Sequence, residues 1–414
     1  MMTLPLRFLR RACLAVLLAC LLTLSGCVGG HDIENCLFVL AMAIDPAPDG
    51  NLIVTVKALS GSQGGSSSAG GGSAGTGEAS GGEDSSGTNG PGNGTAGSSL
   101  EQEEPGYIVL SATAPSCLRA LGLLSATTPR TVNLSQLREI VINRTLAETD
   151  ATLSILREIH SMFRANGDAI VVVTPDDAGD FIRQQRAILG LRLSKYLEVL
   201  FDQYEALDIL PPHANLSAVI SAMESSTIDA TAVYAAGNDF DSTLVLPGTS
   251  DTDRLPGHLP RTAPSPNEFM GTALFDGPRM TGVLTGEETG SLRLMMGKAK
   301  RTSVIIGGAQ YKVSTRTKVS RRLNPADGAL EVSIRMSLSL IAGEQTQNAG
   351  EIAAQIETSA VNTLRRLQAA SCDAVGFGRL AVMSSLDIPA WEARDWQSTY
   401  DQADVRVTVD VRIL

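Results

Sequence analysis

"TDATLSILREIHSMFRANGDAIVVVTP" (residues 149–175) decides the fold class. Leu153, Leu156, Ile159 and Phe163 recur at steps of three and four, which lines them along one side of an α-helix. Gly167 stops that helix, and the apolar run 169–175, bounded by turn residues, reads as a buried strand. Just upstream, "NLSQLREIVINRTLAE" (133–148) carries a strand at Glu139–Asn143. Before it come a short strand from Tyr107 and a helix near 114–126. Helix and strand alternate, as in an α/β domain.

Working outward, "DIENCLFVLAMAIDPAPDGNLIVTVKALS" (32–60) is a β-hairpin. Leu37–Ile44 is one strand, Pro46–Gly50 the turn and Leu52–Leu59 the partner. Residues 60–104 then turn almost wholly to Gly, Ser and other small or polar types. With nothing large enough to build a core, this is a flexible insertion. Gly71–Gly75 fits a hydrolase elbow and Gly70–Gly75 fits GxGxxG, but both need a strand before and a helix after. They are artefacts of composition.

Toward the C-terminus, residues 186–206 read as helix, and Pro211-Pro212 follow. The stretch 267–300 gives a strand, an Asp276-Gly277 turn, a strand and a short helix. β-rich runs at 302–320 and 329–342 precede a long helix over 349–371. "DVRVTVDVRIL" (404–414) alternates as a closing strand. The expected architecture is mixed α/β (α+β), with three successive domains after a leader at 1–26. They span 27–185, holding the disordered 60–104 insertion, then 186–297 and 298–414.

The leader has a basic start at Arg7, Arg10 and Arg11, then the apolar run "ACLAVLLACLLTL" (12–24). That run falls short of the roughly 20 residues of a membrane-spanning helix and suits a secretory signal. It ends in Leu24-Ser25-Gly26-Cys27, which resembles the bacterial lipobox, whose cysteine receives a lipid. Cys27 is the expected attachment point; the alternative is an ordinary signal with a chance cysteine.

A net charge of −11 in an exported chain argues against general nucleic-acid binding. Beyond the leader and Cys27 only Cys36, Cys117 and Cys372 remain. These three are no disulfide framework, though one pair can form after export. Four scattered histidines, no HExxH, no phosphate loop and no credible nucleophile elbow point away from an enzyme, a metal site or a cofactor.

Against this acidic background, Lys298–Arg322 holds eight basic residues and no acidic one. Lys312, Arg316 and Lys318 share strand parity and can line one face. The face either meets an anionic surface, such as lipid headgroups or an acidic partner, or is simply solvated. Trp391 and Trp396, five apart, are either a ligand platform or, as favoured here, packing at a domain edge.

In order and spacing the chain resembles the Ger(x)C lipoproteins, the C subunits of spore germinant receptors. The likeness rests on the lipobox followed by the 32–59 hairpin, on "NLSQLREIVINRTLAE" with its helix and "VVV" strand, and on "GTALFDGPRMTGVLTGEETGSLRLMMGK" (271–298). It rests also on "CDAVGFG" (372–378) with Trp391, Trp396 and the terminal strand. Relatives usually carry Trp-Asp after the lipid cysteine and often a histidine where this chain has Gln136; here Val28-Gly29-Gly30 follow Cys27. The resemblance implies three α/β domains and a lipid anchor at Cys27 on the outer face of the inner spore membrane. It also implies assembly with membrane-embedded A and B subunits, and no catalysis. The alternative is a solute-binding lipoprotein delivering a small ligand to a transporter.

Overall fold

The hairpin is present as β1 (Cys36–Pro46) and β2 (Leu52–Leu59), paired antiparallel from Val39↔Ala58 to Pro46↔Leu52. The computed structural model describes residues 35–60, 106–163, 165–187, 192–206, 208–238, 255–261, 265–299, 303–306, 309–313, 317–324, 326–344, 347–384, 389, 391 and 395–414. The leader, Cys27, the 60–104 insertion beyond Ser60, and Arg316 lie outside these residues.

β3 (Tyr107–Ala114) pairs with β2 and leads into α1 (Cys117–Thr127), whose N-terminus Ser116 caps by accepting from the Arg119 N–H. β4 (Thr131–Asn133) and β5 (Glu139–Asn143) both lie parallel to β1. After α2 (Arg144–Ala147), the opening stretch of the sequence forms α3 (Ala151–Phe163) and β6 (Ile170–Thr174), parallel to β5. α4 (Ala178–Gln184), α5 (Leu193–Ala206) and α6 (Leu216–Met223) follow. Then come β7 (Thr231–Gly237), β8 (Asn267–Asp276) and β9 (Arg279–Leu284).

These strands make a nine-stranded sheet of order β3-β2-β1-β5-β6-β7-β8-β9, with β4 beside β1. Its centre, β1-β5-β6-β7, is parallel and covered on both faces, so its strands are almost wholly apolar. One face packs α1, α3 and α6 through Leu121, Leu156, Ile159 and Val219 against Ile140, Ile142, Val171 and Val173. The other packs α4 and α5 through Phe181, Leu197 and Phe201 against Val141, Val172 and Phe269. Residues 186–297 thus contribute β7–β9 to the sheet begun by residues 27–185.

α7 (Gly286–Met295), closed by a Thr285/Glu288 capping box, leads to the second sheet. That sheet holds β10 (Ser303–Ile306), β11 (Ala309–Val313), β12 (Lys318–Leu323), β13 (Leu330–Ala342) and β14 (Val405–Ile413). β13 is its spine. β11 and β12 follow one another along one edge of β13, and β14 runs parallel along the other. α8 (Ala349–Ala369), with an Asn348/Glu351 capping box, lays Ile352, Ala360, Leu364 and Leu367 on the inner face against Ile334, Met336, Leu338 and Val411. α9 (Phe377–Met383) and α10 (Trp396–Gln402) complete this half.

The β8–β9 hairpin serves both halves. Ala273, Phe275 and Met280 enter the first core, whereas Leu274 and Leu284 enter the second. Among the described residues no helix is long and apolar enough to cross a membrane.

Candidate functional site

In open α/β sheets, ligands commonly sit at the carboxyl ends of the parallel strands, often on a helix N-terminus. Here that place is filled from within. Asp45, 3% exposed at the end of β1, accepts from the Ala178 N–H (2.7 Å) and the Gly179 N–H (2.9 Å) at the start of α4. Asp177 caps the same helix through the Asp180 N–H (2.8 Å). Asp176 accepts from the Gly237 N–H (2.6 Å), and its carbonyl from Asn143 Nδ2 (2.9 Å). The chain's own carboxylates thus take up the donors that an anionic ligand would use.

A buried polar cluster lies instead at the seam between the two halves. "CDAVGFG" (372–378) follows α8 as a tight loop around Asp373, which is 1% exposed. Its carboxylate accepts from the N–H groups of Gly376 (2.9 Å), Phe377 (2.9 Å) and Gly378 (2.6 Å), satisfying the start of α9. Gly376 has φ +83°, a conformation glycine adopts at no steric cost. Burial pushes the Asp373 carboxyl up to about 7 against the pull of those three donors.

From the other half, Asp229 accepts from the Asp373 N–H (2.7 Å), and the Asp229 N–H donates back to the Asp373 carbonyl (3.3 Å). Burial raises Asp229 to about 6, and Asp276 and Asp401 push the same way. Thr281 Oγ1 on β9 donates to the Ala370 carbonyl (2.6 Å), and Arg366 bridges to Glu288 (2.7 Å). A second tie is buried on both sides. Arg293 on α7, 0% exposed, donates to Asp208 (2.8 Å) and to the Leu210 carbonyl (3.1 Å).

Trp391 and Trp396 lie at this seam, ring centroids 6.1 Å apart. Trp396 is 6% exposed, and Gly378 sits against it: a Cβ there would lie 2.8 Å from Trp396 Nε1 and 2.8 Å from the Thr227 carbonyl oxygen. A small cavity of about 150 Å³ beside them is lined by Ile228, Asp229, Asp276, Trp396 and Gln397, among others. Tyr400 OH donates to the Cys372 carbonyl (3.0 Å), closing the loop from below.

The chemistry of this cluster is mechanical. Its buried carboxylates bind backbone N–H groups, and among the described residues no group of three or more His, Cys, Asp or Glu could hold a metal. Cys36, Cys117 and Cys372 are buried free thiols, and burial pushes Cys117 up to about 12 and Cys372 well above the usual thiol value. Such thiols are poor nucleophiles.

Of the residues singled out in the sequence, Lys312 and Lys318 lie on one outward face of the second sheet, opposite Ser339 and Arg335 of β13. Arg316 and Cys27 fall outside the described residues. Asp45, Asp208, Asp229, Arg293 and Asp373 were missed, although Ile44-Asp45 and "CDAVGFG" stand inside stretches that carry the family likeness.

The Gly-Thr-Ala of that likeness also has its cause here. Gly271 has φ +99°, its N–H donates to the Ile209 carbonyl (2.8 Å), and a Cβ would lie 2.4 Å from the Leu284 oxygen. Thr272 and Thr289 hydroxyls meet at 2.7 Å, pinning α7 on β8.

Comparison with known proteins gives two family matches. Residues 85–236 match the spore germination protein N-terminal domain, and residues 270–414 match the spore germination B3/GerAC-like C-terminal domain. No curated protein matches the chain. A crystal structure of the GerBC protein is similar with 12% identity and a TM-score of 0.42, covering 92% of this chain and 100% of that one. The first family match runs through β3–β7 and the second from within β8 to the end of β14, so the two adjoin at the β7–β8 pairing of the first sheet. Matched in both halves, the chain belongs to the Ger(x)C family of germinant receptor C subunits.

Proposed function

We propose that this chain is a non-enzymatic, lipid-anchored C subunit acting in nutrient-triggered spore germination. It is held through Cys27 on the outer face of the inner spore membrane and assembles with the membrane-embedded A and B subunits of its receptor. The observation that carries this reading is the pair of family matches, one in each half of the fold. Leu24-Ser25-Gly26-Cys27 supports the anchor. A single acyl chain holds a protein only marginally, so a firm anchor takes further acylation, surface charge or integral partners. The seam supports a subunit that works through its surfaces, since Asp229–Asp373 and Asp208–Arg293 fix the two halves against one another.

Spores lacking the chain are expected to lose their response to at least one nutrient while still germinating under a trigger that bypasses nutrient receptors. Replacing Cys27 with Ala should release the chain from the membrane fraction. Unchanged responses to every nutrient would contradict the receptor role, and full membrane retention of Cys27→Ala would contradict the anchor.

A further inference from the structure

The outward face of the second sheet is bare. α8 covers its inner side, and along β13 the exposed positions alternate with buried ones. In register, Lys312 of β11 lies opposite Ser339 and Lys318 of β12 opposite Arg335, while Arg412 of β14 lies opposite Ser337. Lys312, Lys318 and Arg412 make no ion pair among the described residues. The carboxylates on this face are already engaged: Asp410 with Arg335 (3.1 Å) and Glu331 with Arg322 (2.6 Å). A chain of net charge −11 thus turns a cationic face outward.

At one end of this face stands the exposed Leu414 (77%), two positions beyond Arg412 on the same side of β14, and the exposed Ile341 (53%) lies in the bulge of β13 between Leu340 and Ala342, where β11 begins to pair. The Leu414 N–H donates to the Leu338 carbonyl (2.7 Å), which closes β14 onto β13 beside these two residues. Lys312 and Arg412, opposite Ser339 and Ser337, adjoin them. Single exposed aliphatics are ordinary on a protein surface, whereas uncompensated cations gathered on one face of an acidic chain form a directed charge feature.

From these observations we infer that this face docks on a membrane surface of anionic phospholipid headgroups. Lys312, Lys318 and Arg412 contact phosphates, and Leu414 enters the boundary beneath them, with Ile341 at the same end. The charge is complementary, and an exposed leucine beside cations matches the depth order of a bilayer surface. A protein partner fits less well. The middle of the face carries Ser320, Ser333, Ser337 and Thr408, without the aromatic or apolar centre of a protein interface. The inference rests on the reading that places the chain at a membrane, and it adds a contact to the Cys27 anchor.

The test uses the full lipidated chain, reconstituted on phosphatidylcholine vesicles with or without phosphatidylglycerol. An environment-sensitive fluorophore is attached at Ile341→Cys, with Asn362→Cys on the far side of α8 as comparator, and a quencher is carried on the lipid. Quenching at 341 but not at 362 is expected, dependent on phosphatidylglycerol and reversed by salt. The exposed double variant Lys312→Glu/Arg412→Glu should lower this docking at least about tenfold.

Equal quenching on neutral vesicles, or none on anionic ones, would overturn the inference. So would quenching or protection only when receptor subunits are added, or label proximity that rises with protein concentration, which assign the face to a protein partner or a second copy. Flotation on neutral vesicles scores the Cys27 anchor separately, so its failure is distinguishable from failure of the face.

Discussion

Replacing Gly122 or Gly378 by alanine makes the same chemical change in two helices, and the structure predicts opposite signs. Gly122 lies inside α1, where an added Cβ meets nothing within 4 Å. Alanine there gains helix propensity, about 0.5–1 kcal/mol of stability. Gly378 stands near the start of α9, where the Cβ would lie 2.8 Å from the Thr227 carbonyl oxygen and 3.1 Å from its carbon. Those atoms belong to backbone of the other half of the molecule, so relief requires the seam to open or α9 to shift. Overpacking of this kind costs about 1–3 kcal/mol, more than the gain from propensity. Gly378→Ala is therefore expected to destabilise by about 1–2 kcal/mol.

Denaturant unfolding followed by tryptophan fluorescence is the assay, because Trp391 and Trp396 are the two tryptophans of the chain and both belong to the seam. The midpoint should fall for Gly378→Ala, whereas the first half, followed by circular dichroism, should gain in Gly122→Ala. A Gly378→Ala midpoint at or above wild type would refute the packing described for the seam.

Three further expectations follow from buried polar groups. Asp45→Ala orphans the Ala178 and Gly179 N–H groups and should cost about 2–4 kcal/mol in urea unfolding, whereas a loss under half a kcal/mol would contradict the capping role. Arg293→Met leaves Asp208 buried beside a neutral side chain. A loss of about 3–5 kcal/mol is expected, and restoring stability with Asp208→Asn in the same chain would confirm the pair as its source. Asp373 and Asp229 are held at about 7 and about 6, above the ordinary 3.8, so the folded state binds their protons more tightly than the unfolded state does. Their contribution is complete below about pH 4 and is lost as pH rises through about 6 to 7, so the seam should weaken between about pH 4 and about pH 7 and change little above that. Asp373→Asn should flatten that profile, and an unchanged slope would contradict the assignment.

Most elements were legible because their residues repeat with a period. The strand expected at Glu139–Asn143 is β5 itself, the helix at 349–371 is α8 over Ala349–Ala369, and the Asp276-Gly277 turn joins β8 to β9. α4 was missed because "DDAGDFIRQQ" is short and half polar. It is a helix through its Asp177 cap and through Asp45, which lies far away in sequence. The helical stretch expected from residue 186 begins at Leu193, and the run 302–320 divides into β10, β11 and the start of β12.

The hydrogen-bonded ties of the seam were not legible. Asp229 and Asp373 are 144 positions apart, and an aspartate that binds a distant backbone N–H leaves no period to detect. The signal available was Gly376 and Gly378 flanking a buried-looking stretch after a long helix, which marks a tight turn but not its partner. The tryptophans do pack at the edge between the halves, the reading favoured over a ligand platform, with Trp396 beneath the Gly378 turn.

The most direct test of the receptor-subunit reading is to recover this chain, tagged at its C-terminus, from detergent-solubilised spore membranes and to identify what accompanies it. Co-recovery of two multi-pass membrane proteins in fixed proportion is predicted. Recovery with an ATPase and a permease would contradict the reading and make the chain part of a transporter.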